Sequence, residues 1–67
     1  MKNHLKEART NKQLTQIQLA ELVNVSRQSI ISIETNKYTP SVLLSLKLAH
    51  VLEMNVEALF ELENSDY

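Results

Sequence analysis

Residues 15–34, TQIQLAELVNVSRQSIISIE, carry two helical patterns separated only by Asn24, Val25 and Ser26. In the first, Ile17, Leu19, Ala20, Leu22 and Val23 recur at helical spacing, and in the second Ile30, Ile31 and Ile33 do so. A joint of three residues is too short for a loop, so the two helices must cross steeply, as in a helix-turn-helix unit. The ends of the pattern agree. Thr15 and Gln18 make the S/T-x-x-E/Q capping box, and the Ser26 hydroxyl suits the N-cap of the second helix.

The rest of the chain has to complete a core for that unit. With 67 residues it reads as one domain, 1–67, near the lower limit for independent folding. There is no cysteine, and His4 and His50 have no carboxylate at ligand spacing, so no metal or disulfide is expected to hold it. Apolar residues make up 43% with one Phe and no Trp, which favours an aliphatic, helical core. There is neither a signal peptide nor an apolar run of about 18 residues, so a soluble, cytoplasmic protein without membrane contact is expected. No nucleophile elbow, acid pair or glycine-rich phosphate loop is present, and a bundle this small has no room for a catalytic cleft. Neither an enzyme nor a cofactor is expected.

Five helices are predicted: Asn3 to Lys12, Thr15 to Val23, one beginning after Ser26 and reaching Glu34 or Thr35, one capped by Ser41 and running through Leu52, and Val56 to about Leu62. Ser41 and Asn55 are expected to cap the last two, and Asn36 to Pro40 to form a loop around the single proline. The fold class is therefore all-α, a compact five-helix bundle with the helix-turn-helix at 15–34. The fourth helix is apolar almost all round, with Lys47 and His50 on a narrow stripe, so it must be central or partly in an interface. The polar tail Glu63 to Tyr67 is left either loose or ordered by a partner. The chain contains no glycine, yet its reversals need residues with positive φ. Asn24 and Asn36 fall at two such places; Gln13 and Glu53 stand at the other two, less comfortably.

Net charge is −1, but it is unevenly spread. Residues 1–40 hold six basic and three acidic groups, and residues 41–67 hold one basic and five acidic groups. This +3 to −4 division would turn the first half toward a polyanion and the acidic end away from it, unless it is only chance asymmetry on a solvated surface. Ser26, Arg27, Gln28 and Ser29 crowd the start of the second helix of the unit, where such a helix meets base edges in a major groove. Sequence-specific binding to double-stranded DNA is the reading these residues support.

The chain resembles the Cro/CI-type helix-turn-helix repressors, the xenobiotic-response-element family, over residues 5 to 60. The resemblance rests on Leu5-Lys6-Glu7-Ala8-Arg9, Leu14-Thr15-Gln16, Leu19-Ala20, Val25-Ser26-Arg27-Gln28-Ser29-Ile30, Ile33-Glu34-Thr35-Asn36-Lys37, Pro40-Ser41, Leu46-Lys47-Leu48-Ala49 and Val56-Glu57-Ala58-Leu59-Phe60. It departs at the family's frequent glycines, here Gln13, Asn24, Asn36 and Glu53. The resemblance implies a homodimer on a two-fold symmetric operator, with the third helix in the groove, and Arg9 with Glu34 as a structural ion pair. The family's small stand-alone members add paired terminal strands, which would fall within residues 1–4 and 61–67.

Arg27 can hold guanine O6 and N7, and Gln28 adenine N6 and N7, each bidentately. The rival role for Arg27 is a phosphate contact or plain solvation. Ser29 and Ser32 lie along the same face, as base or phosphate contacts or simply as polar surface. Gln16 matches the family residue that holds a phosphate at the start of the second helix. Asn36, Lys37 and Tyr38 would hold the backbone of the same half-site, with packing against Pro40 as the rival role for Tyr38. One module reads only about 4–6 base pairs, so specificity calls for a dimer. Residues 54–67 are the expected dimerisation region, with Met54, Val56, Phe60 and Leu62 as its contacts. Because the chain stops there, no ligand-sensing domain is expected, and repression would be the default state. The alternative is an antitoxin or protein-interaction adaptor of the same fold.

Overall fold

The computed structural model describes all of residues 1–67. Its elements are β1 (Lys2–Asn3), α1 (Leu5–Asn11), α2 (Gln16–Val23), α3 (Arg27–Glu34), α4 (Val42–Leu52), α5 (Val56–Leu59) and β2 (Phe60–Glu61), followed by a single 3₁₀ turn at Asn64–Asp66. Local side chains set three of the helix starts. Thr15 Oγ1 accepts from the Gln18 backbone N–H at 3.0 Å while Gln18 Oε1 accepts from the Thr15 N–H at 2.9 Å, closing the capping box. Ser26 and Ser41 each accept from the backbone N–H three residues on, both at 3.1 Å. Asn55 occupies the corresponding position before α5, but its side chain caps nothing, and only its carbonyl accepts from Ala58 and Leu59.

Four of the helices leave by the same route. Gln13, Asn24, Asn36 and Glu53 all lie in the left-handed region, with φ between 56° and 60°. Each donates its N–H to the carbonyl three residues back, and the next residue donates to the carbonyl five residues back. For Gln13 the pair is Gln13 to Thr10 at 2.9 Å and Leu14 to Arg9 at 3.1 Å; for Glu53 it is Glu53 to His50 at 3.2 Å and Met54 to Ala49 at 2.9 Å. This double closure satisfies end carbonyls that would otherwise be orphaned. In three of the four, the following residue (Leu14, Val25 or Met54) then packs against the core.

The core is one aliphatic cluster. Leu5, Leu19, Val23, Ile30, Ile33, Leu48 and Leu59 are sealed from solvent, with Ala8, Ala20, Leu44, Ala49, Leu52 and Phe60 around them. Every one of α1 to α5 contributes, and α4 supplies Leu44, Leu48, Ala49 and Leu52. Its remaining apolar residues stay outside: Val42 is 77% exposed, Leu43 64% and Leu46 54%.

The chain ends depart from simple helical expectation. Lys2 pairs antiparallel with Glu61 and Asn3 with Phe60, so α1 begins at Leu5 rather than Asn3, and α5 stops at Leu59 rather than near Leu62. The fold is thus mostly helical with a short two-stranded pair, as the resemblance implied for the termini. Asn3 adds a second tie: its Oδ1 accepts from the Leu5 N–H at 2.9 Å and its Nδ2 donates to the Ile33 carbonyl at the end of α3. The tail is ordered within the chain itself. Asp66 accepts from the Glu63 N–H at 2.8 Å, and the Met1 ammonium sits 3.0 Å from Asp66 and 3.1 Å from Glu63.

A polar face at the start of the third helix

Because Ser26 caps α3 with its own hydroxyl, the first turn of that helix is free to project Arg27 and Gln28 outward, and both are exposed. Ser29 and Ser32 are half-buried. The Ser29 hydroxyl lies 3.1 Å from that of Ser26, and Gln28 Nε2 approaches Ser32 Oγ at 3.4 Å, so the polar residues of this face are mutually braced along the helix. The short joint brings the start of α2 alongside. Arg27 Nε donates to Gln16 Oε1 at 3.3 Å, which places the first residues of both helices at one edge.

Beneath that edge lies the ion pair of Arg9 and Glu34. Arg9 Nε is 2.7 Å from Glu34 Oε2, and the two side chains are only 12% and 4% exposed. Arg9 also donates through Nη2 to Glu34 Oε1 at 3.4 Å and through Nη1 to the Leu14 carbonyl at 2.9 Å. Gln16 Nε2 donates to Glu34 Oε1 at 3.1 Å. The resemblance implied the pairing of Arg9 with Glu34 but gave no sign that Gln16 joins them. Asn36 and Lys37 end α3, with their N–H groups on the Ile33 and Ser32 carbonyls at 3.0 and 2.9 Å. Their side chains are exposed, as is Tyr38, while Pro40 is buried. Neither Arg27 nor Lys37 has an acidic partner in the chain, which leaves both cations available.

Two acidic groups of the second half pair with basic groups flanking α1. His4 Nε2 is 2.6 Å from Glu61, Lys12 Nζ is 2.6 Å from Glu53, and Glu7 lies 3.8 Å from the other nitrogen of His4. The hydrogen bond that His4 donates to Glu61 raises the His4 pKa from its ordinary value, and the same contact lowers that of Glu61. Of the residues expected at a dimer contact, Leu62 is 66% exposed and Met54 and Val56 are half-buried. Phe60 is 9% exposed and belongs to the core, because the β1–β2 pairing holds its strand over α5. Its edge still lines a shallow groove of about 220 Å³ with Met1, Thr39, Pro40, Ser45, Val56 and Leu62. The exposed face of α4 was visible in sequence only as an excess of apolar residues. No group of three or more potential metal ligands occurs, and no helix is long and apolar enough to cross a membrane.

Comparison with known proteins agrees with this geometry. The helix-turn-helix family profile matches residues 5–59. An uncharacterised HTH-type transcriptional regulator of Methanocaldococcus jannaschii is 44% identical over 66 residues, covering 98% of this chain and all of the relative. The immunity repressor protein of Bacillus phage phi105 is 38% identical over 55 residues, spanning 82% of this chain and 38% of the repressor. The crystal structure of the restriction-modification controller protein C.AhdI from Aeromonas hydrophila superposes with a TM-score of 0.79 at 35% identity, covering 85% of this chain and 86% of the other. The chain belongs to the helix-turn-helix family of Cro/CI-type DNA-binding transcriptional regulators.

Proposed function

We propose that the chain is a repressor that binds a two-fold symmetric operator as a homodimer, with α3 in the major groove of each half-site. The observation that carries this reading is the exposed, braced first turn of α3 beside the start of α2. Arg27 and Gln28 read bases, and Ser26, Ser29 and Ser32 line the same helix as supporting contacts. Gln16 holds a phosphate at the start of α2, and Asn36, Lys37 and Tyr38 hold the backbone beyond α3. An immunity repressor among the relatives favours repression over activation.

The dimer reading draws on apolar surface that water should not keep. Val42, Leu43, Leu46 and Leu62 are all more than half exposed, and the groove beside Val56 and Phe60 adjoins Leu62. We place the two-fold contact in region 54–67, at Met54, Val56, Leu62 and the rim of Phe60, extended by the outer face of α4. The test is binding of the purified chain to its own promoter, with Gln28→Ala and Arg27→Ala alongside, and sedimentation across micromolar concentrations. Each substitution should relax discrimination at one base pair by about 1–3 kcal/mol. Sequence-independent binding by the unmodified chain refutes the operator reading, and a monomeric mass at high micromolar concentration refutes the dimer.

A further inference from the structure

The Glu34 carboxylate, almost sealed from solvent, accepts from two nitrogens of Arg9 and from the Gln16 amide. A carboxylate held in an ion pair only accepts hydrogen bonds, so only the NH₂ end of the Gln16 amide can face it. The Gln16 carbonyl oxygen is thereby turned outward, where it takes Arg27 Nε at 3.3 Å. Once Nε is engaged, the two terminal nitrogens of Arg27 are left over, and a pair of guanidinium N–H groups is what guanine O6 and N7 accept. The chain of contacts runs from the Leu14 carbonyl through Arg9, Glu34 and Gln16 to Arg27, linking α1, α2 and α3.

We propose that Glu34 is a positioning residue for base reading. By fixing which end of Gln16 faces outward, it holds the Arg27 guanidinium with its terminal nitrogens toward DNA and sets a guanine preference at one base pair of each half-site. The inference rests on the reading that α3 enters the groove. Glu34 touches no DNA itself. Its effect is passed on by an amide whose orientation is chosen by charge.

The experiment uses the full chain and a duplex selected by it from a random pool, together with every single-base-pair variant of that duplex. Arg27→Ala should abolish one guanine preference. Gln16→Leu keeps the Arg9–Glu34 pair but cuts the link; beyond a uniform loss of affinity from its phosphate contact, it should lower that same preference by about tenfold while leaving the preferences at other positions unchanged. Glu34→Gln, whose amide can present either end to Gln16, should give the same selective loss when measured well below its melting temperature. If Gln16→Leu weakens all duplexes alike, Gln16 acts only on phosphate and the inference is overturned. The same holds if Arg27→Ala removes no preference. If the unmodified chain does not discriminate among duplexes at all, the groove reading falls and the inference falls with it.

Discussion

Gln13 offers the cleanest test of how this chain turns corners. It sits at φ 58° after α1, is exposed, and its side chain makes no hydrogen bond. Both closing bonds of that turn, Gln13 N–H to Thr10 and Leu14 N–H to Arg9, are backbone bonds that a substitution leaves in place. A residue with a Cβ pays about 1–2 kcal/mol for the left-handed conformation, whereas glycine gives back roughly 0.5–1 kcal/mol through its greater freedom in the unfolded chain. Gln13→Gly should therefore stabilise by about 0.5–1 kcal/mol, a rise in melting temperature of roughly 2–8 °C for a domain of this size. Gln13→Ala is the control, since it removes the side chain but keeps the Cβ, and it should leave stability unchanged within about 0.5 kcal/mol. Far-ultraviolet circular dichroism melts and urea midpoints measure both. A Gln13→Gly variant that melts below the unmodified chain would refute the account, because the exposed side chain has no hydrogen bond to lose.

Further outcomes follow from the same structure. Asn24→Gly, at φ 59°, should stabilise by a few tenths of a kcal/mol and by less than Gln13→Gly, since asparagine enters the left-handed region more cheaply; a melt showing the reverse order would be contrary. Glu34→Ala should cost about 3–5 kcal/mol in urea unfolding, because the nearly buried Arg9 loses its counter-charge. Ser26→Ala should cost about 1 kcal/mol by removing the α3 cap, measured in the same way. His4 is held above its ordinary pKa of 6.5 and Glu61 below its ordinary 4.5. Stability from a raised histidine is complete below 6.5 and is lost as pH climbs through the raised value, while that from a lowered carboxylate is lost as pH falls below 4.5. The pair should thus help most between those two values, and the difference in melting temperature between the unmodified chain and His4→Gln should shrink at pH 8.

What could be read from the sequence was what is settled locally. Thr15 with Gln18, and Ser26 and Ser41, find their backbone partners three residues away, so the chain order alone announces those caps. The left-handed exits at Asn24 and Asn36 are local in the same sense, and Gln13 and Glu53, expected less comfortably at the other two reversals, take the same conformation. The terminal strands are different. Two-residue strands carry almost no periodicity, and the Lys2–Glu61 and Asn3–Phe60 pairs join residues nearly a chain length apart. Whether residues after Leu59 continue as helix depends on whether β1 is there to pair with them. Asn3 escaped notice for the same reason, since its partner at Ile33 lies 30 positions away. At the polar face, Arg27 and Gln28 were legible from their place after a capping serine. The orientation of Gln16 was not, because it is chosen by a carboxylate on another helix.

These long-range ties converge on α1 and the few residues around it, a part of the molecule with no residue in the proposed groove contact. Arg9 reaches Glu34 on α3, Lys12 reaches Glu53 beyond α4, His4 reaches Glu61 on β2, and Asn3 reaches the end of α3. Leu5 and Ala8 bury the inner side of the same helix. Exposed ion pairs such as Lys12–Glu53 contribute little singly, but the Arg9–Glu34 pair is nearly dry and its loss is felt in both directions. Toward the core it leaves a charge unpaired; toward the surface it releases the amide that faces Arg27. Substitutions in α1 should therefore divide by position rather than by distance from DNA. Those at Leu5 should lower stability and leave base preference intact, whereas Arg9→Lys, which keeps the charge but not the fork that engages Glu34 and Leu14 together, should disturb base preference even in protein that remains folded.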